Sequence, residues 1–363
     1  MSSSFGLQVE MTIFGESHGP AIGVVLNNLP AGEPISEEGI AEQLARRAPG
    51  QDPTSTARKE PDICRILSGM KNGVTTGAPL CAVIQNTDTR SGDYANIALC
   101  PRPSHADYAA HLRYKGCNDI SGSGHFSGRL TAPLVIAGSI CRQFLLRRGV
   151  HIGGHVLQIG GVQDEAFDPV SVSAEQLDQL AKTYFSTLSP HANRRMRSEI
   201  EAARMDMDSV GGLVELAAVG LPAGIGSPMF GGVENILAGA LYGVPAVKGV
   251  SFGAGFAYGS MRGSAANDCY TLDEAGNIRT ETNNCGGITG GITTGMPLLV
   301  QAALKPTPSI GKPQKTVNLD TMENTVLQIK GRHDPCIVPR ALPALEAALA
   351  VGLMQLMAEG GKL

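Results

Sequence analysis

The chain has 363 residues, of which 46 are glycine and 22 proline, and 42% are apolar. That length supports one large domain or two ordinary ones with a substantial core, and the apolar content excludes a disordered chain. A formal charge of −4, 4% aromatic residues and no tryptophan exclude a globally basic, base-stacking nucleic-acid surface, so an anionic ligand must be held by a local cluster.

Met1-Ser2-Ser3-Ser4-Phe5 has no basic stretch followed by an apolar run, so no secretory leader is expected and the chain reads as cytoplasmic. A strand is predicted over 21–27. Ser36 then reads as an N-cap, Ile40 and Leu44 share a face, and Pro49-Gly50 ends the helix. Arg46 and Arg47 fall in its last turn, where cations suit the helix dipole. Small and β-branched residues predict further strands over 79–85, 213–219 and 297–303. Helices are predicted over 132–147, 193–204, 229–242 and 341–358. The apolar run Leu130 to Leu146 contains Arg142 and Gln143 and reads as a core helix, not a membrane span. Ser173-Ala-Glu-Gln176 forms a capping box before Leu177, Leu180, Ala181 and Tyr184.

The polar, charged stretch 186–208 reads as a mobile excursion from a single α+β domain over 1–363. Leu29-Pro30-Ala31-Gly32 recurs as Leu221-Pro222-Ala223-Gly224, either as two corners of a duplicated architecture or by chance. The eight cysteines include no Cys-x-x-Cys, which points to reduced, mostly buried thiols and not to zinc. His151 and His155 have the spacing of a metal pair but no nearby acid, so they read as strand histidines and no metal is expected.

Five segments carry chemistry. In Gly15-Glu16-Ser17-His18-Gly19-Pro20 the backbone can turn sharply and leave His18 uncrowded, as a proton donor or anion partner or as a plain loop histidine. Arg102-Pro103-Ser104-His105-Ala106-Asp107 sets His105 beside an arginine and an acid that either orients it or caps the next helix. Ser121 to Arg129, rich in glycine and serine, precedes an apolar helix, where free backbone N–H groups suit phosphate. The fourth segment runs from Asn283 to Gly295, with paired glycines that admit a flat ring or a phosphate, or that simply turn a hairpin. Lys305, Thr307 and Ser309 follow it as a phosphate grip. In Lys330-Gly331-Arg332-His333-Asp334-Pro335-Cys336, Asp334 is either a helix cap or a carboxylate base beside two cationic partners.

Six of these motifs, in this order, resemble the chorismate synthase family: Gly15-Glu16-Ser17-His18-Gly19, Arg46-Arg47-x-Pro49-Gly50, Arg102-Pro103-x-His105-Ala106-Asp107, Gly286-Gly287-Ile288-x-Gly290-Gly291, Lys305-Pro306-Thr307 and Gly331-Arg332-His333-Asp334-Pro335-Cys336. The resemblance runs from about Phe5 to Met357. It implies helices sandwiched between antiparallel sheets, a homotetramer, and conversion of 5-enolpyruvylshikimate 3-phosphate to chorismate, the last step of the shikimate pathway. That reaction is a 1,4-anti elimination that needs reduced FMN without net redox change. The resemblance makes His18, His105 and Asp334 catalytic and Arg46, Arg47 and Arg129 substrate-binding. It puts FMN on His125, Phe126, Ser127, Pro245, Ala246, Gly290, Lys305, Pro306, Thr307, Pro308, Ser309 and Arg332. No extra reductase domain is visible, so reduced flavin is expected from outside, with NADPH the candidate reductant.

The chain departs from the family on the ligand side. Where the family usually reads Arg-Gly-Gly-Gly-Arg-Ser-Ser-Ala-Arg-Glu, it has Ser-Gly-Ser-Gly-His-Phe-Ser-Gly-Arg-Leu over 121–130. Pro53 stands where many members have arginine, and Pro245 replaces a usual asparagine. Each lost charge-assisted contact costs about 1.5–3 kcal/mol if uncompensated, so activity with weaker FMN or substrate affinity is expected. The alternatives are an FMN-binding paralogue with weak or lost activity, and a flavin-dependent oxidoreductase acting on a small anionic molecule.

Overall fold

The computed structural model describes residues 3–50, 62–87, 99–329 and 334–363. Pro53 and Arg332 lie outside the described residues. A first unit comprises β1 (Ser4–Phe5), β2 (Glu10–Gly15), β3 (Ala21–Asn27), α1 (Glu37–Arg47), β4 (Cys64–Ser68), β5 (Met70–Lys71), β6 (Val74–Thr75), β7 (Leu80–Gln85), α2 (Asp107–Tyr114) and α3 (Thr131–Leu146). A second comprises β8 (His151–Ile159), β9 (Val162–Gln163), α4 (Ala174–Leu180), α5 (Pro190–Met205), β10 (Gly212–Val219), α6 (Val233–Tyr242) and β11 (Val247–Phe252). It continues through β12 (Tyr270–Leu272), β13 (Ile278–Thr280), β14 (Ile288–Thr289), β15 (Ile292–Thr293), β16 (Leu298–Leu304), β17 (Gln314–Asn318), β18 (Glu323–Leu327) and α7 (Val338–Glu359).

Two antiparallel sheets, ordered β1-β2-β3-β7-β4 and β11-β16-β10-β8-β9, enclose a helical layer. Helix α3 packs on β3 and β7, α7 packs on β8 and β10, and the two helices pack on each other. Both are buried nearly all round, which is why their sequences lack a polar face. A Cβ on Gly138 would lie 2.2 Å from Cα of Ala347, so glycine is what lets the two axes approach this closely. Helix α7 is long and apolar enough to cross a membrane, yet 89% of its apolar window is buried inside the protein.

The repeated Leu-Pro-Ala-Gly corner is a structural repeat. Thr75 and Thr293 donate Oγ1–H to the carbonyls of Pro30 (2.6 Å) and Pro222 (2.7 Å), and accept N–H from Glu33 (3.0 Å) and Ile225 (2.9 Å). Gly32 and Gly224 donate to the carbonyls of the same two threonines, at 2.7 and 2.9 Å. Around these corners, β2, β3, β4 and β7 correspond in chain order and sheet order to β8, β10, β11 and β16. The chain is therefore built from two units of one topology, with α3 and α7 in equivalent places.

The polar stretch 186–208 contains α5. Ser189 caps it, accepting N–H from Ala192 at 3.4 Å, and Ala192, Met196 and Ile200 are buried. Its arginines 194 and 195 form the solvent face of an amphipathic helix. Fewer thiols are enclosed than the sequence suggests: Cys141 and Cys336 are buried, whereas Cys117 and Cys269 are exposed. Burial pushes Cys141 and Cys336 up to about 12, so both stay neutral.

Candidate active site

A cavity of about 960 Å³ receives equivalent pieces of both units. The end of α1 contributes Arg47 and Pro49, and the end of α6 contributes Gly239, Ala240 and Gly243. The approach to α3 adds Ser127 and Arg129, and the approach to α7 adds Asp334 and Ile337. Two helix N-termini and two helix C-termini thus meet at one space, so its preference for anions rests on the arginine and lysine side chains that line it.

One wall is a polar network around Arg102. Its Nε and Nη2 donate to the two carboxylate oxygens of Asp107, each at 2.7 Å, and its Nη2 also donates to Ser123 Oγ at 3.0 Å. His105 Nδ1 lies 2.6 Å from Asp107 Oδ1. A carboxylate only accepts, so Nδ1 carries the proton in this contact and Nε2 is left for a ligand. Burial would raise the Asp107 carboxyl, but hydrogen bonds from Arg102 and His105 outweigh it and hold the group well below the usual carboxylate range. Asp107 therefore orients His105 and makes no helix-capping bond.

The lining also carries Arg47 and Arg129, both on the buried carboxylate of Asp62. Arg47 Nη2 reaches Oδ2 at 2.5 Å and Arg129 Nη1 reaches Oδ1 at 2.5 Å. Arg340, in the first turn of α7 and six residues beyond Asp334, ion-pairs with it and donates Nε–H to the Arg47 carbonyl at 3.3 Å. Asp334 thus lines the cavity held by a guanidinium.

His125, Phe126 and Ser127 join Pro245, Ala246, Lys305, Thr307, Pro308 and Ser309 on the cavity surface. His125 engages both ring nitrogens within the protein, with Ser3 Oγ (2.6 Å) and the Gly15 carbonyl (2.8 Å), so it anchors its loop. Thr307 Oγ1 is buried without a hydrogen-bond partner among the described residues, as expected of a group built to meet a ligand. Ser104, Ser123 and Ala246 all line the cavity with left-handed φ of 58°, 73° and 75°. Such strain in residues other than glycine collects at functional sites. Lys305 donates to the Ser104 carbonyl, and burial together with the nearby ammonium of Lys248 lowers its pKa.

Several expected residues fall elsewhere. Arg46 is not on the cavity: it forms a buried fork with Glu346 of α7, at 2.6 and 3.2 Å, because its side of α1 faces the helical layer. Gly290 sits in the β14–β15 turn, away from the lining residues, with a φ of 60° that the turn itself explains. Pro306 lies between two lining residues without lining the cavity, and packs near Gly211. His18 is not among the lining residues: it stands behind Gly122, where an added Cβ would come 2.0 Å from its Nδ1. His151 pairs with Asp178, and His155 is buried between Glu215 and Asp164. Among the described residues no cluster of three or more His, Cys, Asp or Glu side chains could hold a metal.

Three residues escaped the sequence reading. Lys248 lies two positions beyond Ala246, and Arg340 lies in the first turn of the helix after Asp334, so each had a signal in its proximity to a motif. Asp62 had none, since only the tertiary fold brings it to two arginines.

A chorismate synthase family model matches residues 9–358. The chain is 44% identical over 359 residues to the chorismate synthase of Methanocella arvoryzae, covering 99% of this chain and 95% of that protein. It is 46% identical over 345 residues to that of Thermococcus kodakarensis, covering 95% and 94%. A solved crystal structure of chorismate synthase superposes with a TM-score of 0.76 at 27% identity, over 98% of this chain and 93% of the other. The motifs, the enclosed helical layer and these likenesses agree: the chain belongs to the chorismate synthase family of carbon–oxygen lyases.

Proposed function

We propose that this chain eliminates phosphate from 5-enolpyruvylshikimate 3-phosphate to give chorismate, a 1,4-anti elimination that requires reduced FMN and leaves it unchanged overall. The observation that carries this reading is the convergence of His105, Asp334, Arg47 and Arg129 on a cavity large enough for two ligands. The residues present fit FMN: Thr307 Oγ1 is an orphaned buried hydroxyl, and Lys305, Lys248 and Ser309 stand near it on the same surface. Ser127, Ala246 and the segment 305–309 would hold the cofactor, with Arg332 added by sequence. When bound, reduced FMN supplies an electron-rich ring and a nitrogen able to take up the C6 proton.

The chain's own groups do the rest. Arg47, Arg129 and Arg340 present positive charge already in place, which an anionic ester needs when its phosphate departs. His105, held through Nδ1 by Asp107, can deliver a proton from Nε2 to the leaving oxygen, and the Asp107 charge stabilises the imidazolium. Asp334, held by Arg340, would relay the proton removed from carbon. Gly239, Ala240 and Val244 give an apolar side that excludes water. His18 is retained as the second imidazole on the strength of its motif. By the same resemblance the protein works in the cytoplasm as a homotetramer, with reduced flavin supplied from outside and NADPH as the reductant.

Anaerobic turnover with substoichiometric reduced FMN tests the reading. Phosphate and chorismate released one to one, many times per flavin, support it. A product whose formation consumes flavin in equal amount indicates the oxidoreductase, and FMN binding without phosphate release indicates the paralogue.

A further inference from the structure

Arg47 and Arg129 come from different elements, yet they share one carboxylate. Asp62 accepts from Arg47 Nε (3.1 Å) and Nη2 (2.5 Å) on Oδ2, and from Arg129 Nη1 (2.5 Å) on Oδ1. All three side chains are nearly inaccessible, at 2%, 5% and 1% exposure for Arg47, Arg129 and Asp62. Outer contacts complete the frame: Arg47 Nη1 reaches Thr131 Oγ1 at 3.4 Å and Arg129 Nε donates to Asn86 Oδ1 at 3.1 Å. Burial works against the Arg47 charge, Asp62 opposes that effect, and the neighbouring Arg340 and Arg129 guanidinium groups add to it.

We propose that Asp62 is a positioning residue for the anionic substrate: its single buried carboxylate holds Arg47 and Arg129 side by side, so that both face the cavity in a fixed geometry. Without it two like charges would stand together in a dry wall, and the arginines would separate. Asp62 is not among the residues that line the cavity, so it acts through the two guanidinium groups. This inference rests on the reading of the cavity as the site of an anionic ester.

The test is calorimetric binding of 5-enolpyruvylshikimate 3-phosphate to protein loaded with oxidised FMN, where no turnover occurs. Asp62→Asn removes the charge at constant shape and is expected to raise the substrate Kd at least tenfold, with the FMN Kd within twofold of wild type. Asp62→Glu keeps the buried charge, and with it the fold, but moves the carboxylate by one methylene. It is expected to raise the substrate Kd severalfold and leave FMN binding unchanged. A substrate Kd that is unchanged or tighter in either folded variant overturns the proposal, because Asp62 would then merely compete with the ligand. Substrate and FMN affinities falling in parallel also overturn it, in favour of a purely structural role. A wild-type chain that binds the ester without ever releasing phosphate sinks the lyase reading and leaves this test standing.

Discussion

His105 and Asp107, two residues apart, are joined through Nδ1 and Oδ1 at 2.6 Å, and Arg102 grips the same carboxylate. Nδ1 is thereby engaged, and Nε2 is the ring nitrogen left for a ligand in the cavity that His105 lines. Asp107→Asn should keep the fold and lower kcat by about 10²-fold, within the range general acid catalysis supplies. Asp107 is held below the usual carboxylate range, so its stabilising contribution is present above the ordinary carboxylate value and is lost only as pH falls through its lower folded value. Activity lost between pH 5 and 6 must therefore come from another group, and a pH–rate profile of the Asn variant against wild type checks both statements.

Gly122 and His18 are in direct contact, and Gly122 has a φ of 58°. Gly122→Ala adds a methyl group where the imidazole stands, so the ring or the Ser121–Phe126 segment must move. The expected outcome is a fall in kcat of tenfold or more, with a stability loss of about 1–2 kcal/mol from the left-handed backbone. Steady-state kinetics beside urea denaturation separates the two effects.

Arg46 and Arg47 are adjacent in sequence and opposite in role. Arg46→Ala leaves Glu346 without its forked partner in the helical layer and should cost about 3 kcal/mol. That is the lower end for a broken buried pair, because Arg142 also lies near Glu346. Substrate affinity should change little. Arg47→Ala should do the reverse on affinity, raising KM strongly. Denaturation midpoints and KM values for the two variants make the comparison.

His155 is buried between Glu215 (3.0 Å) and Asp164 (3.3 Å), with Phe167 against its ring and Gln301 on Glu215. Burial favours the neutral ring, but the two acids outweigh it and raise the His155 pKa; burial likewise works against the Asp164 charge, but His155 and backbone N–H groups hold its pKa down. The histidine contribution to stability is thus full below its unfolded value of about 6.5 and is lost as pH rises through the higher folded value. The aspartate contribution is full above about 3.9 and is lost as pH falls through its lower folded value. His155→Gln should remove the decline on the alkaline side, which unfolding free energies measured from pH 5 to pH 9 would reveal.

Much of this was legible in the sequence because local rules and tertiary structure agree. Ser36 and Ser173 each accept an N–H three residues on, as predicted, whereas the Ser189 cap was not anticipated and its helix starts at Pro190 instead of 193; the strands at 21–27 and 212–219 follow their β-branched and small residues. Strand β2 was missed, since Glu10 to Gly15 lacks clean alternation; β8 was anticipated only through its two strand histidines, whose acid partners Asp178, Glu215 and Asp164 are brought by the tertiary fold. In the site, local spacing left the roles of His105 and Asp334 open and the family resemblance singled them out; both line the cavity. The division between Arg46 and Arg47 could not be read from the sequence, because a 100° step around α1 turns one into the helical layer and the other to the cavity. Asp62 depends wholly on long-range packing.

The most direct test of the central claim is a crystal structure of the protein with oxidised FMN and 5-enolpyruvylshikimate 3-phosphate bound together. Both ligands are predicted to share the cavity between the two units, with the ester on Arg47 and Arg129 and with His105 and Asp334 each touching a ligand. Flavin seated outside that cavity, or an ester touching none of these four residues, would contradict the account.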